Sequence, residues 1–584
     1  MDSQDALDDF VNEVVEEVVS SISSGQSVQS NGVNAVRGLA SLVSHKRCAA
    51  IVCSSADFLL PPPSSPKANE AVQPPAPNAA AANNPMMQMM MMMTRPRPYK
   101  GRSGPAIENK TLLGKVFRLG FNWEDQAVWS KFKGVRLQRD HDNLVSKGRA
   151  ESRAQQAANN SLLMAFLTGG PSCQSKVLRW IADALSVNTG ASGMSPDPSK
   201  TSSKVFMLNL CAAMLKLCEP FCVKDTSKQD LIHQDFLNFD DDEDGHMGVF
   251  PLKGDDAVAR CSSSQGEGDD GGEANDSSMT DSSPPKFNFI TKCFYFAARA
   301  LHLGFLPFKA QHRSLQQHIG HSQWQIIHQG GEWRTDERVQ LLMAKQWALE
   351  IVAMDPEILT AALHFYNCAG QFMGKMSSGT LQQQPEHVID DMCDLTAFVS
   401  TSRNVSMDQL SGLNFSSIFA IVVRLLSKDE HETIKNYNLR AKLGDTIANI
   451  FLPEEFKDKS HDDRKTVPFS CYSSAETGQP FLLTDVLAQD TLAPSLLFLY
   501  GEVERTDGED KAKHRSNICN ILKYLWQTKA HRPAFQKIAE DEDAFIDFAN
   551  GIINETVTLI SAIFEKLPEV RNYQLALVSA RKSR

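Results

Sequence analysis

TLAPSLLFLYGEVERTDGEDKAKHRSNICNILKYLWQTKAHRP, residues 491–533, and AFIDFANGIINETVTLISAIF, residues 544–564, are the stretches on which the fold turns. Ile518, Ile521, Leu522, Leu525 and Trp526 recur at helical intervals, which puts five large apolar groups on one side of a helix. Phe545, Phe548, Ile552, Ile553, Leu559, Ile560, Ile563 and Phe564 hold the same period through the closing segment. Ahead of both, Leu492, Leu496, Leu499, Tyr500 and Val503 make a third stripe, with Pro494 in the first turn, where a missing N–H costs little. No helix buries such a stripe by itself, so three in series must stack as an all-helical layer or solenoid. Trp526, Phe545 and Phe548 are expected to be packing residues, each worth on the order of 1.5–3 kcal/mol of burial.

Upstream segments extend the pattern. Residues 205–217 are apolar on nearly every side, with Asn209 and Lys216 the strongly polar positions, and belong at the centre of a bundle. Residues 287–303 are similar and close at Gly304 and Pro307, while residues 161–187 read as helices broken at Gly169, Gly170 and Pro171. Further helical stripes at 339–352, 358–373, 388–399 and 415–426 are separated by short polar breaks. Strand-like alternation is rare and no strict period appears, so the expected fold is all-α, an irregular armadillo-like helical solenoid.

The ends and linkers read differently. Residues 1–22 form an acidic amphipathic helix, with Leu7, Phe10, Val11, Val14, Val15 and Val18 on one face. It either docks on its own core or enters a groove on a partner. Residues 23–104 turn to Ser, Pro, Ala, Asn and Met, including MMQMMMMM at 86–93, and are expected to be a disordered low-complexity linker; RPRPYKGR at 95–102 is read as a solvated part of it. A second disordered segment is expected at about 240–285. Between Asp240 and Asp281 stand thirteen Asp and Glu against two basic residues, which accounts for the whole net charge of -11. The remainder is close to neutral, so no positive field exists to hold nucleic acid.

Twelve cysteines occur without any CxxC pair. Several, such as Cys211, Cys218, Cys293 and Cys519, lie inside apolar helical runs, where a reduced thiol packs as a small hydrophobe; this suits cytoplasm or nucleus. No segment reaches the roughly 18 uninterrupted apolar residues of a membrane span. The acidic opening MDSQDALDDF fits neither a signal peptide nor a mitochondrial presequence.

Reactive constellations are sparse. His312, His318, His321 and His328 cluster, but HExxH is absent and a zinc site needs further close ligands, so solvated or hydrogen-bonded histidines are expected. Asp240, Asp242, Asp244 and Gly245 match the opening of a calcium loop, yet Pro251 stands where the bidentate Glu is required. Cys368 and Cys471 are the least obviously buried candidates for a thioester-forming nucleophile. GGPSCQSK at 169–176 has glycines and a lysine at the wrong spacing for a phosphate loop. No catalytic residue, metal ligand or cofactor is assigned.

Five blocks carry a resemblance. FMLNLCAAMLKLCEPF at 206–221, KFNFITKCFYFAARALHLGFLP at 286–307, PEHVIDDMCDLTAFV at 385–399, NYNLRAKLGDTI at 436–447, and YGEVERT with ILKYLWQ and FANGIINETVTLI resemble, in this order, the core domain of ubiquitin conjugation factors of the E-four class. The resemblance implies a ubiquitin elongating factor core at 105–571, followed by a tail at 572–584. It implies a role in polyubiquitination and ubiquitin-dependent degradation. The partners it implies are ubiquitinated substrates, a ubiquitin-like adaptor and an AAA-type segregase. Family members finish in a U-box, a metal-free module that receives the charged conjugating enzyme without a covalent intermediate. No U-box signature follows here, so the expectation is the scaffold without its ligase module, meeting a conjugating enzyme only if a U-box is supplied. The rival reading is a generic armadillo-like adaptor unrelated to ubiquitin; the ordered blocks argue against it.

Overall fold

The computed structural model describes residues 3–23, 29–60, 103–135, 137–193, 197–238, 286–401, 413–457, 479–506 and 510–582. The fold is all-α, and no strand occurs among the described residues. Described residues up to Ala362 form one compact unit and those from Leu363 onward a second.

The first unit opens with α1 (Ser3–Ser23), α2 (Gln29–Val43) and α3 (Lys46–Ser54). α1 docks on α2 and α3, burying Val11 and Ile22, so the helix lies on its own unit's core. The expectation of disorder from residue 23 fails over 29–60. Val33, Val36, Leu39, Ala40 and Val43 make a helical stripe that the Ser, Asn and Gly between them conceal in composition, and all are buried. Phe58 completes the cover, edge-on to Phe166 at 5.3 Å. Of the rest of that linker, residues 24–28 and 61–102 lie outside the described residues, as does the acidic segment at 240–285 with its calcium-loop candidate, while Ser103 and Gly104 already belong to the start of the next helix.

The core of this unit follows from α4 (Gly104–Lys110), α5 (Leu112–Phe117), α6 (Gln138–Thr168), α7 (Pro171–Val187), α8 (Lys204–Glu219), α9 (Phe289–Gly304), α10 (Pro307–His328) and α11 (Glu337–Ala353). α6 stops where expected: Gly170 takes φ 132° and Pro171 starts α7, whose first turn needs no N–H from it. α8 and α9 pack on each other and are buried on almost all sides. Asn209, a polar residue in the buried part of α8, is satisfied by donating to the carbonyls of Phe117 and Leu119, both at 2.8 Å. The run Lys204–Lys224 is long and apolar enough to cross a membrane by composition, but 78% of its apolar window is buried inside the protein. That burial accounts for its apolarity.

α12 (Pro356–Gly374) precedes the helices of the second unit: α13 (Glu386–Thr401), α14 (Ser416–Leu426), α15 (Tyr437–Thr446), α16 (Ala493–Glu502), α17 (Lys511–Gln527), α18 (Arg532–Glu540) and α19 (Glu542–Lys582). α15 touches α13, α14, α16 and α17, and α16 also packs on α17, α18 and α19. Leu492, Leu496, Leu499, Tyr500 and Val503 are buried as their stripe predicts.

The other two opening stripes need correction. On α17, Ile518, Ile521 and Leu525 are buried, but Trp526 is 63% exposed, set T-shaped to Phe535 at 5.3 Å. The arc from Ile518 to Trp526 is wider than its neighbours cover. On α19, Phe548 is half-buried against Tyr500 at 5.7 Å, whereas Phe545 is 52% exposed and the large apolar residues from Ile552 to Leu575 are exposed.

Candidate functional site

A constellation of polar groups among the described residues of the second unit is built on α15, a ten-residue helix carrying Arg440, Lys442 and Asp445 among Leu439, Ala441, Leu443 and Gly444. Asn436 caps it, its side-chain oxygen accepting from the amides of Asn438 and Leu439. Each charge points to a different neighbour. Arg440, fully buried, donates its Nε–H to Glu502 Oε2 at 2.9 Å, while His431 Nε2 lies 2.7 Å from Glu502 Oε1. Lys442 binds Asp394 at 2.9 Å and also Asp390, both on α13. Asn517 of α17 donates to Asp445 Oδ1 at 2.8 Å. Burial pulls the Lys442 pKa down, but the Asp390 and Asp394 carboxylates outweigh it and hold the amine above the usual lysine range. Arg505 adds a fourth tie, donating to the Tyr437 hydroxyl at 2.9 Å with its guanidinium over that ring.

These ties join three quoted blocks to one helix: PEHVIDDMCDLTAFV supplies Asp390 and Asp394, NYNLRAKLGDTI supplies α15, and YGEVERT supplies Glu502 and Arg505. None of these residues belongs to a motif that marks a role in the sequence by itself. The available signal was the placing of Arg440 and Lys442 at alternate positions between Leu439 and Leu443, which no single solvent-facing stripe explains. Close by, Glu430 accepts from Arg424 at 2.7 Å, Thr433 at 2.6 Å and Ser378 at 3.0 Å. Burial alone would raise its carboxyl; the hydrogen bonds outweigh that and hold it below the usual carboxylate range. Such seams set the register of helices. They present no nucleophile with a base beside it.

The residues singled out from sequence do not converge either. His312 is buried, with Nε2 2.8 Å from Glu350 Oε1, whereas His318, His321 and His328 are exposed along α10. No group of metal-ligating side chains forms among the described residues. Lys176 of GGPSCQSK donates to the Cys53 carbonyl at 3.1 Å, a helix-to-helix tie. Cys368 is buried, contrary to its standing as an accessible thiol, because it lies on the inward face of α12; Cys471 lies outside the described residues. Burial pushes Cys211 and Cys293 well above the ordinary thiol range and Cys393 up to about 12, which removes the thiolate at neutral pH. Cys519 departs from the expectation of a packed thiol: it is exposed on α17, one step round the helix from Ile518.

Comparison with known proteins gives this helical frame its relatives. A "Probable ubiquitin conjugation factor E4" of Arabidopsis thaliana is 24% identical over 450 residues, covering 68% of this chain and 41% of that protein. "Ubiquitin conjugation factor E4 A" of Bos taurus is 21% identical over 463 residues, covering 71% of this chain and 40% of that protein. The chain thus spans about two fifths of the length of these curated relatives. The family described as the ubiquitin elongating factor core matches residues 113–584, a stretch that includes all five quoted blocks, and the chain belongs to that family.

Proposed function

We propose that this chain supplies the scaffold of a ubiquitin-chain elongation factor. It holds a substrate that already carries ubiquitin, so that the next transfer takes place at high effective concentration, and performs no bond-making step with its own side chains. The observation that carries the reading is the match to the elongating factor core over residues 113–584. The buried seam on α15 supports it, since three of the family-like blocks tie into one rigid frame there.

Within this reading the partners are ubiquitinated substrates and, more specifically, a ubiquitin-like adaptor and an AAA-type segregase. The frame is an irregular armadillo-like stack, and its place is the cytoplasm and nucleus, where buried reduced thiols persist. A pull-down decides between this and a generic adaptor. The purified chain is offered immobilised tetra-ubiquitin, mono-ubiquitin and an AAA-type segregase. Retention on tetra-ubiquitin and on the segregase supports the scaffold; retention on neither overturns it.

A further inference from the structure

Two cysteines face each other where α3 meets α7. Ala49 and Cys53 stand one turn apart on α3, Gly169 lies just ahead of α7, and Cys173 sits in the first turn of α7, so the same four-residue step runs along both partners. At one end of the step the chains approach so closely that a Cβ on Gly169 would stand 2.8 Å from the Ala49 Cβ. At the other, Lys176 donates to the Cys53 carbonyl at 3.1 Å. Between these two ties the thiols of Cys53 and Cys173, both buried, are in hydrogen-bond contact. Burial and the Cys173 thiol push the Cys53 thiol well above its ordinary range, and the Lys176 ammonium offsets part of that. Burial alone raises Cys211 and Cys293, so a paired thiol with a cation beside it is not the common condition of the packed cysteines.

We propose that Cys53 and Cys173 form a redox switch, in which a peroxide converts the two thiols into a disulfide that staples α3 to α7. α1 and α2 pack on α3, so the staple holds all three helices. In the first step the Cys53 sulfur attacks one peroxide oxygen and the O–O bond breaks. The departing hydroxide takes the thiol proton and leaves as water, and Cys53 carries a sulfenic acid. The Cys173 sulfur then displaces that hydroxyl, which leaves with the second thiol proton as another water while the S–S bond forms. Two thiols and one peroxide become one disulfide and two waters. Lys176 is a positioning residue: its amine favours the thiolate of Cys53 and holds the end of α3 by its carbonyl. Peroxide reaches the buried pair when α3 lifts, which ties the rate to local opening. About 120 residues separate the two cysteines, a long loop whose closure removes much freedom from the unfolded chain. α1, α2 and α3 precede the matched segment 113–584, so the switch acts on helices outside the family core and does not depend on the ubiquitin reading.

The experiment treats the full, folded and reduced chain with hydrogen peroxide at neutral pH, then digests it with trypsin without reduction. Tandem mass spectrometry is expected to find peptide 48–67 joined to peptide 154–176 through Cys53 and Cys173, and dithiothreitol should part them. Oxidation should raise the melting temperature by about 5 °C or more, a rise absent from Cys53→Ala and Cys173→Ala. Lys176→Met should slow the linkage severalfold and Lys176→Arg should restore its rate, a pattern that a merely structural lysine would not give. Peroxide that oxidises the exposed Cys519 while Cys53 and Cys173 stay thiols overturns the proposal, as does a link from Cys173 to Cys48. So does a linked chain that melts no higher than the reduced one, and a rate unchanged by Lys176→Met overturns the part given to the lysine.

Discussion

Arg440 and Glu502 form a buried ion pair between α15 and α16, with Nε 2.9 Å from Oε2 and the Arg440 side chain wholly out of solvent. The two terminal nitrogens of Arg440 have no hydrogen-bond partner among the described residues, where the Glu502 carboxylate compensates this charge. Removing one member of such a pair strands the other. Glu502→Leu should therefore cost about 3–5 kcal/mol, whereas Arg440→Met combined with Glu502→Leu should cost much less than the sum of Arg440→Met and Glu502→Leu made singly. Urea unfolding of the four proteins in the cycle gives the coupling. Additive losses would mean that the pair does not act as a unit.

Phe548, Trp526 and Phe545 separate by burial despite sharing a helical period. Phe548→Ala should destabilise by about 1–3 kcal/mol, because it loses a half-buried ring set against Tyr500. Trp526→Ala and Phe545→Ala expose little that is not already wet and should stay within about 0.5 kcal/mol. Melting temperatures of the three variants rank them. An unchanged value for Phe548→Ala would show that α19 does not dock on α16 through that ring.

Helices were legible in the sequence wherever the apolar period was wide, as at 205–217 and 287–303, because a helix buried all round has few alternatives. Width misled at Trp526: the sequence gives the arc of apolar groups but not how many neighbours cover it. Composition misled at 29–60, where small polar residues diluted a valine and leucine stripe that packs normally. The seam on α15 was illegible for a different reason. A charge in a short helix reads as a solvent-facing group until its partner, some fifty to seventy residues away in sequence, is placed beside it.

His531 should make the second unit acid-sensitive. It is fully buried, and Nε2 lies 2.6 Å from the Leu482 carbonyl, so the neutral ring donates there. Burial lowers its pKa, and the hydrogen bond only partly offsets that. With the folded value below the unfolded one near 6.5, the unfolded chain takes up the proton first. Stability is complete above about pH 6.5 and is lost as pH falls from there through the folded value. Glu430, also depressed, adds its loss only below the ordinary carboxylate range, about pH 4.3. Between pH 7.5 and 5.5 the melting temperature should fall, and His531→Gln should flatten the fall. An equal slope in the variant would remove His531 as the cause.

Thiol reactivity should follow exposure. Among the described cysteines, Cys519 should alkylate first in the native chain, while Cys211, Cys293 and Cys393 react only on unfolding, since burial keeps their thiols protonated. Peptide mass spectrometry after a timed iodoacetamide pulse reads this order. Early labelling of Cys393 would mean that the α13–α15 contact opens under native conditions.

Gly304 closes α9 where it crosses α8, and a Cβ there would stand 2.4 Å from the Met207 carbonyl oxygen and 3.2 Å from Cys211 Cβ. Both obstacles belong to a helix packed on all sides, so neither yields without moving the crossing. Gly304→Ala should destabilise the first unit by about 1–3 kcal/mol through overpacking. Gly320, in the exposed part of α10 with nothing within 4 Å of its Cβ position, is the internal control. There the same substitution removes only the backbone entropy penalty of glycine and should stabilise by up to about 1 kcal/mol. Opposite signs in denaturant unfolding would establish that LGFLP carries its glycine for the approach of the two central helices; equal signs would show that the α8–α9 crossing is looser than 2.4 Å implies.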